Sequence, residues 1–309
     1  MRKHLKARFP FLNGKRINEG ISTDRLYANC PDLKSGFTSA HVFYGMHSSC
    51  INVYGHHAEG DGFYNCYQDF CREHGFPSTL RRDNATESKS KKVLDFNRQY
   101  IIQDQWSEVD NQQQNLVESG GIRWLKSAVH VLQDMTGAPP WTWYLAALYL
   151  ADIHNHTWNK EQGFIPITAR DGITRDISRL LQFVFWERIL YLDHQGSFPD
   201  SKERLGYFVG CSSHVGDELT YLIYDDQSKQ IVSRSVVRPY TTNKQVRWDP
   251  AIDASPAPKS HTACDNTKFH LAPTIDMDSY DEDEPEPSPH FWDTAPTHPD
   301  QFLSLLLFV

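Results

Sequence analysis

The hydrophobic periodicity of the chain constrains its fold most strongly, because that periodicity changes along the sequence. Short apolar runs typical of strands come first, at Phe37–Phe43 and Cys50–Tyr54. Helical spacing then alternates with further short strands, and two long amphipathic helices are predicted at Val117–Leu132 and Trp141–Asn155. A strand-rich start followed by alternating helices and strands predicts an α/β domain over residues 21–160.

Shorter elements are predicted between these segments. Apolar side chains at helical spacing predict a helix over Gly60–Glu73, with Gly75 and Pro77 as its stop signal. The remaining predictions for this domain are a strand at Ser78–Leu80, a helix at Lys89–Arg98 and a strand at Tyr100–Ile102.

The second half of the chain has a different character. Short apolar runs are divided by Gly, Asp and Ser turns at a spacing typical of a small β-barrel or sandwich. We therefore predict a small all-β domain over residues 183–240, joined to the first domain by a connector at 161–182. Its predicted strands are Ile189–Leu192, Gly206–Gly210, Leu219–Tyr224 and Gln230–Arg234.

The charge of the chain is unevenly distributed. The formal net charge is −8, yet twelve acidic residues and only two lysines lie from Asp249 onward. The preceding residues are near neutral and begin with a basic N-terminal extension at 1–20. The Pro-rich, acidic stretch 241–309 has few core-forming residues and is predicted to be disordered. A near-neutral folded part with a basic start allows a polyanionic partner without requiring one.

The cysteines and apolar runs indicate the compartment. Six cysteines show no framework spacing, which favours a reduced, intracellular protein. The chain has no run of eighteen apolar residues and no secretory signal pattern. We therefore expect a protein that is neither secreted nor inserted into a membrane.

Two acidic residues lie in distinctive sequence contexts. Asp83 lies in Arg81–Glu87 (RRDNATE), and Glu118 ends Gln112–Glu118 (QQQNLVE), 35 positions after Asp83. The pattern D-N-x-x-E at a strand end, followed by Q-N-x-x-E at the start of a long helix, resembles the catalytic core of retroelement integrases. The interval between the two acids is also similar to that of the family.

Flanking segments extend this resemblance along the chain. The Trp141–Asn155 helix, which follows a Pro-Pro pair, resembles the "P…W…A…Y…N" helix of Ty1/copia-type polyproteins. Pro199–Gly210 and Val232–Val237 resemble the SH3-like β-domain that follows copia integrase cores. The likeness runs from about residue 21 to 240, and its specificity comes from the ordered set of motifs.

The resemblance implies a ribonuclease-H-like integrase core with flanking helices, followed by a small all-β SH3-like domain and a disordered acidic C-terminal tail. The family also needs a first aspartate on the opening strand. Asp24, 59 residues before Asp83, fills that place, and Asp32 is the runner-up. Asp24 is preferred because a turn-like Lys34–Gly36 and an apolar strand follow it, in the order of the family's opening hairpin.

The resemblance further implies that Asp24, Asp83 and Glu118 hold two divalent ions, Mg²⁺ or Mn²⁺. Two such ions about 3.5–4 Å apart can stabilise the attacking and leaving oxygens of a phosphodiester displacement. The implied reaction is DNA integration, by 3′-end processing and strand transfer. Three neighbouring carboxylates repel one another without metal, so we expect metal binding to relieve that repulsion.

Cationic and amide side chains near these acids are candidates for DNA contact, since lysine and arginine neutralise phosphates. The alternatives are a solvated charged face and, for the asparagine, a helix N-cap. The implied partners are double-stranded DNA, from element ends and target, and further copies of the chain. The implied location is the nucleus or an intracellular nucleoprotein particle. The candidates are Arg81, Arg82, Lys89, Asn115, Arg123 and Lys126.

Other interpretations stay open. The chain could be a catalytically inactive relic or a domesticated nucleic-acid-binding protein, or another ribonuclease-H-like nuclease such as a cut-and-paste transposase. Convergence of the three carboxyl groups would favour the enzyme. A zinc site is disfavoured, because Cys66, Cys71, His74, His56 and His57 lack the usual ligand spacing. The chain also resembles a piece of a longer polyprotein.

Overall fold

Two five-stranded β-sheets form the framework of the residues that the computed structural model describes. These residues are 8–9, 14–57, 62–83, 90–107, 116–160, 162–193, 199, 201–217 and 219–240. All of them belong to one unit that covers Met1–Asp253. The predicted disordered tail at 241–309 lies outside the described residues, as do Lys89, Asn115 and most of the basic N-terminal extension before residue 14.

The first sheet is mixed, with the strand order β3-β2-β1-β4-β5. The three strands β1, β2 and β3 are antiparallel, whereas β4 and β5 run parallel to β1. The first strand of the chain is therefore the middle strand of the sheet. The strands are β1 (Gly20–Tyr27), β2 (Ser39–Gly45), β3 (Ile51–His56), β4 (Thr79–Arg82) and β5 (Gln103–Trp106).

Helices cover both faces of this sheet. The helices α1 (Gly62–His74) and α2 (Lys91–Gln99) pack on one face, where Ile21 of β1 joins their apolar side chains. The helices α3 (Arg123–Thr136) and α4 (Trp143–His156) pack on the other face, where Leu26 of β1 is buried. This division follows from the alternation of side chains along a strand, which sends odd- and even-numbered residues of β1 to opposite faces.

The second sheet is antiparallel throughout, with the order β10-β6-β7-β8-β9. It confirms strands at the four predicted places and adds a fifth at the C-terminal end of the described residues. A short helix, α5 (Pro166–Asp171), precedes it. The strands are β6 (Arg188–Leu192), β7 (Glu203–Cys211), β8 (Tyr221–Asp225), β9 (Gln230–Arg234) and β10 (Val237–Pro239).

Helix α4 belongs to the core of both sheets. Its Tyr149 ring lies 5.6 Å from Phe185 and 5.9 Å from Phe208, between ring centroids. On its other side, Asn155 accepts the N–H of Ile51 at 2.8 Å and donates to the carbonyl of Ile51 at 2.7 Å. The predicted β-domain is therefore present as a sheet, and it shares one continuous hydrophobic core with residues 21–160.

Two predicted elements differ in the structure. The predicted strand at Tyr100–Ile102 is wrong, because these residues form the turn that ends α2, and Ile101 has a φ of 53°. The strand begins at Gln103 instead and is polar and partly exposed. The predicted helix from Val117 starts with one π-helical turn, Val117–Ile122, before α3 continues it. Among the described helices, none is long and apolar enough to cross a membrane.

Candidate functional site

Asp24 lies in the second half of the middle strand β1. It pairs with Val42 of β2 and lies two residues before buried Leu26, so the side chains of Asp24 and Leu26 both face the side of the sheet that α3 and α4 cover. The carboxylate is half-buried, and its Oδ1 accepts the backbone N–H of Arg25 at 2.7 Å. A partly desolvated carboxylate is sensitive to the charges around it.

Asp83 follows directly after β4. The parallel pairing of β4 with β1 aligns Thr23 with Arg82, so the next residues along the two strands are Asp24 and Asp83. Because side chains alternate and parallel neighbours keep the same facing, both aspartates belong to the same face of the sheet. The predicted position of Asp83 at a strand end is thereby confirmed.

Glu118 comes from the π-helical turn Val117–Ile122, which lies against the same face. Val117 is fully buried, and the turn contacts β2 through the glycine pair Gly120 and Gly121. A Cβ at Gly120 would lie 3.0 Å from the Tyr44 hydroxyl, and one at Gly121 would lie 3.3 Å from the Tyr44 ring. The two glycines therefore let this turn approach the sheet. Single π-helical turns occur frequently at functional sites.

The electrostatics of Asp24 connect the three acids. The pKa of Asp24 is raised above its ordinary value, first by burial and then by the negative charges of Glu118 and Asp83. The Arg25 N–H and the charge of Lys126 act in the opposite direction. Asp24 therefore lies within electrostatic reach of both other acids and of a lysine on α3.

The three acids are not arranged as a ready-made cation site. Within the described part of the chain, no group of three or more His, Cys, Asp or Glu side chains could hold a metal ion. The donor type does fit a hard divalent cation, since Mg²⁺ and Mn²⁺ favour carboxylate oxygens. The shared face and the mutual repulsion at Asp24 fit as well. The residues thus match such an ion in chemistry and location, without enclosing it.

Asp32, the runner-up for the first acid, has a structural role. It lies in the loop between β1 and β2, where its Oδ2 accepts the backbone N–H groups of Lys34 at 3.0 Å and Ser35 at 2.9 Å. Aspartate commonly stabilises tight turns in this way. Its carboxylate is therefore engaged in the hairpin loop.

Two of the predicted DNA-contacting residues lie outside the described part of the chain, namely Lys89 and Asn115. Three others have exposed or partly exposed side chains. Arg123 and Lys126 are exposed on α3, and Arg81 is half-buried and donates to Gln105 Oε1 at 3.0 Å. Because Arg81 is two residues from Asp83 on the same strand, it shares the face of the acids.

Arg82 differs from the other predicted contacts. Only 1% of it is exposed, on the opposite face of β4 from Asp83, so we correct the expectation that it contacts DNA phosphates. Its guanidinium pairs with Asp104 of β5 and lies 4.2 Å from the centroid of the Trp106 ring. The sequence analysis missed Asp104, because it placed β5 at Tyr100–Ile102, and Asp104 lies outside that range.

Cysteines and histidines elsewhere in residues 21–160 have structural roles. Cys66 and Cys71 are buried in the apolar core under α1, as expected for apolar helix positions. His154 contacts the carbonyl of Ser49 at 3.1 Å, and His156 pairs with Asp152 at 3.1 Å. These side chains connect α4 to the sheet or support the end of the helix.

Comparisons of sequence find no relative, whereas comparisons of structure give many matches. No protein-family model matches the chain, and no curated protein does. The chain is similar to one in the cryo-EM structure of the simian T-cell lymphotropic virus intasome in complex with PP2A regulatory subunit B56 gamma. The identity is 12% and the TM-score is 0.39, over 74% of this chain and 83% of the other.

Proposed function

We propose that this chain carries the catalytic core of a retroelement integrase, a ribonuclease-H-like fold that performs polynucleotidyl transfer on DNA. The observation that carries the proposal is that Asp24, Asp83 and Glu118 come from three separate elements to one face of the first sheet, where the charges of Glu118 and Asp83 raise the pKa of Asp24. The mixed sheet, with its opening hairpin and a central Asp24, agrees with that fold. The second sheet would correspond to the SH3-like β-domain.

Asp24, Asp83 and Glu118 would hold Mg²⁺ or Mn²⁺ in this proposal. When bound, the cations would supply stabilisation of the negative charge that develops on the phosphodiester oxygens. The protein supplies the half-buried Asp24 near the two other acids. The sheet fixes the backbone at Asp24 and at the end of β4, before Asp83. The glycine-containing turn brings Glu118 close to that sheet, because Gly120 and Gly121 leave no side chain between the turn and Tyr44.

Cations around the acids would bind the DNA backbone. Lys126 is close enough to lower the pKa of Asp24, so a phosphate that meets the acids also meets this ammonium group. Arg123 lies on the same helix, and Arg81 lies on the strand that leads to Asp83. These contacts would position double-stranded DNA without reading its sequence. Element ends and target DNA are the proposed substrates, for a multimer in the nucleus or in a nucleoprotein particle.

A second candidate function is favoured by one observation. The described residues contain no assembled group of three metal ligands. A relic or domesticated protein that keeps the fold and binds nucleic acid, without catalysis, would need none. The two candidates differ in their response to divalent cations, because only the enzyme gains stability when its carboxylates are neutralised.

Thermal denaturation with added Mg²⁺ or Mn²⁺ tests the proposed site. We expect millimolar cation to raise the melting temperature, since a ligand that binds only the folded state stabilises it by mass action. Glu118→Gln should abolish this response. Asp134→Asn is the matched control, because Asp134 is an exposed acid on the adjoining helix α3 and should leave the response unchanged.

A strand-transfer assay tests the reaction. Oligonucleotides that match the ends of the element are incubated with the protein, target DNA and Mg²⁺ or Mn²⁺, and joined products are measured. We expect products from the wild-type chain and none from Asp83→Asn. The absence of both a cation response and joined products would support the nucleic-acid-binding alternative, and equal products from Asp83→Asn would refute the catalytic role of this residue.

A further inference from the structure

Arg82 occupies an unusual place for an arginine. It is the last residue of β4 and directly precedes Asp83, yet it is among the largest fully buried side chains of the described residues. Burial lowers its pKa, and the charge of Asp104 acts against that shift. A buried guanidinium requires both a counter-charge and hydrogen-bond acceptors, and the surrounding elements provide them.

The side chain of Arg82 belongs to a network of four elements. Its guanidinium pairs with the Asp104 carboxylate and lies over the Trp106 ring, and both residues belong to β5. The Asn97 amide of α2 donates to Asp104 Oδ1 at 2.8 Å. The Tyr67 hydroxyl of α1 donates to Asn97 Oδ1 at 2.9 Å. The ion pair is thereby held in place by both helices on this face.

The backbone of Arg82 is fixed as well. Its carbonyl accepts the N–H of Ser107 at 3.2 Å, directly after β5 ends. In the sheet, Arg82 aligns with Thr23 of β1 on one side and with Trp106 of β5 on the other. The peptide that leads into Asp83 is therefore held by its side chain and by its carbonyl.

Such an ion pair is a poor device for stability alone. The desolvation of the buried guanidinium and the half-buried carboxylate offsets much of their attraction, and apolar replacements of similar volume are often tolerated in buried ion pairs. The retained benefit of a buried polar network is that it specifies one arrangement of the chain. At this position, the arrangement that it specifies is the direction in which β4 ends.

We propose that Arg82 and Asp104 form a positioning pair that fixes the end of β4, so that the Asp83 carboxylate stays beside Asp24. The pair acts from the opposite face of the sheet and does not touch the acids. Its functional consequence rests on the proposed cation site, because Asp83 would be a ligand there. Loss of the pair frees the end of β4 and weakens cation binding without unfolding the sheet.

The test uses the double variant Arg82→Met/Asp104→Leu in the full chain, which keeps apolar volume and leaves no unpaired charge. The first measurement is hydrogen exchange at the Ser107 amide, with the Leu80 amide as an internal reference for global opening. The second is the Mn²⁺ concentration at the midpoint of the thermal stabilisation. Arg204→Met is the matched control, because it removes an arginine–aspartate pair from the second sheet, where Arg204 lies 2.7 Å from Asp193.

We expect the double variant to remain folded, to exchange the Ser107 amide at least tenfold faster than wild type, and to need at least tenfold more Mn²⁺. Arg204→Met should leave both values unchanged. If the double variant does not fold, Asp104→Asn replaces it, because asparagine keeps an acceptor oxygen for Arg82 and Asn97. This variant should exchange the Ser107 amide faster than wild type and need more Mn²⁺, with changes of less than tenfold. Wild-type exchange at Ser107 or a wild-type Mn²⁺ midpoint in the folded double variant would overturn the positioning role.

A failure of the proposed function has a different signature. If the wild-type chain shows no response to Mn²⁺, the cation site is refuted, and the exchange rate at Ser107 still decides whether Arg82 fixes the end of β4. The two proposals therefore stand or fall on separate measurements.

Discussion

Two carboxylates of the second sheet, Glu203 and Asp225, have surroundings opposite to those of Asp24 in the first sheet. In the second sheet, two hydrogen bonds of 2.9 Å and 2.6 Å join Glu203 to Arg238, and Asp225 accepts hydrogen bonds from Ser228 and Gln227. In the first sheet, Asp24 is within electrostatic reach of two other acids, Glu118 and Asp83. Ionised carboxylates therefore stabilise the fold in the second sheet, whereas the ionised Asp24 destabilises the fold in the first sheet.

The pKa directions express this difference. The Arg238 guanidinium lowers the pKa of Glu203. Burial raises the pKa of Asp225, but hydrogen bonds from Ser228 and Gln227 outweigh it, so the net direction is downward. The pKa of Asp24 moves upward. A lowered pKa means that folding favours the ionised acid, whereas a raised pKa means that ionisation opposes folding.

Asp225→Ala should have the largest effect. Asp225 is 2% exposed, and its loss leaves the donors of Ser228 and Gln227 without their acceptor and removes a negative charge 4.0 Å from Arg204. We expect a loss of about 2–4 kcal/mol in the free energy of unfolding, measured by urea denaturation. Asp226→Ala is the adjacent control, with an exposed side chain, and should cost less than about 0.5 kcal/mol. Equal losses in the two variants would contradict the comparison.

Low pH should destabilise the first sheet at a second group, His41 of β2. Its ring stacks on His56 at 4.7 Å, and among the described residues neither ring nitrogen has a hydrogen-bond partner. Burial, followed by the charges of His56 and Arg25, lowers the pKa of His41 from 6.5 to about 3. The unfolded chain therefore binds a proton first, and stability is lost as the pH falls below 6.5.

At pH 5 the expected contribution of His41 to this loss is about 2 kcal/mol, from about 1.4 kcal/mol per pH unit. His41→Phe should flatten the pH dependence of the unfolding free energy between pH 7 and pH 5 by that amount. His47→Gln, at an exposed position one turn beyond β2, is the control and should leave the slope as it is. An unchanged slope in His41→Phe would show that His41 does not stay neutral in the fold.

The smallest effect is expected at the candidate site itself. Asp24→Asn removes the middle charge of the three acids, so it should raise the unfolding free energy of the metal-free chain near pH 7 by up to about 1 kcal/mol. The gain should shrink as the pH falls, because protonation of Asp24 gives the same relief. Asp32→Ala should have the opposite sign, because it removes a turn acceptor. Destabilisation by Asp24→Asn would contradict the repulsion.

Periodicity predicted those elements whose burial is one-sided. The helix α1 was predicted nearly to the residue, because its buried side chains recur at helical spacing. The strand β5 was placed too early, because it is polar and short and the apolar signal lies in the preceding turn at Ile101 and Ile102. Gln103–Trp106 is a strand because it forms hydrogen bonds with β4, and such tertiary pairing cannot be predicted from local sequence patterns.

The candidate site was predictable to a similar degree. The motif contexts of Asp83 and Glu118 led to two residues on one face of the sheet, and the hairpin order selected Asp24 over Asp32. The burial of Arg82 was not predicted, although strand alternation alone places it opposite Asp83. Its partner Asp104 could be found only with β5 in its correct place.

Helix α4 has a consequence for anyone who wishes to work with part of this chain. Tyr149 packs on Phe185 and Phe208, and Asn155 forms hydrogen bonds with Ile51 of β3, so none of the side chains of the helix is fully exposed. A fragment that ends at residue 160 would expose the Tyr149 face of α4 to water, and such a fragment should aggregate. The first sheet should be produced together with residues 161–240.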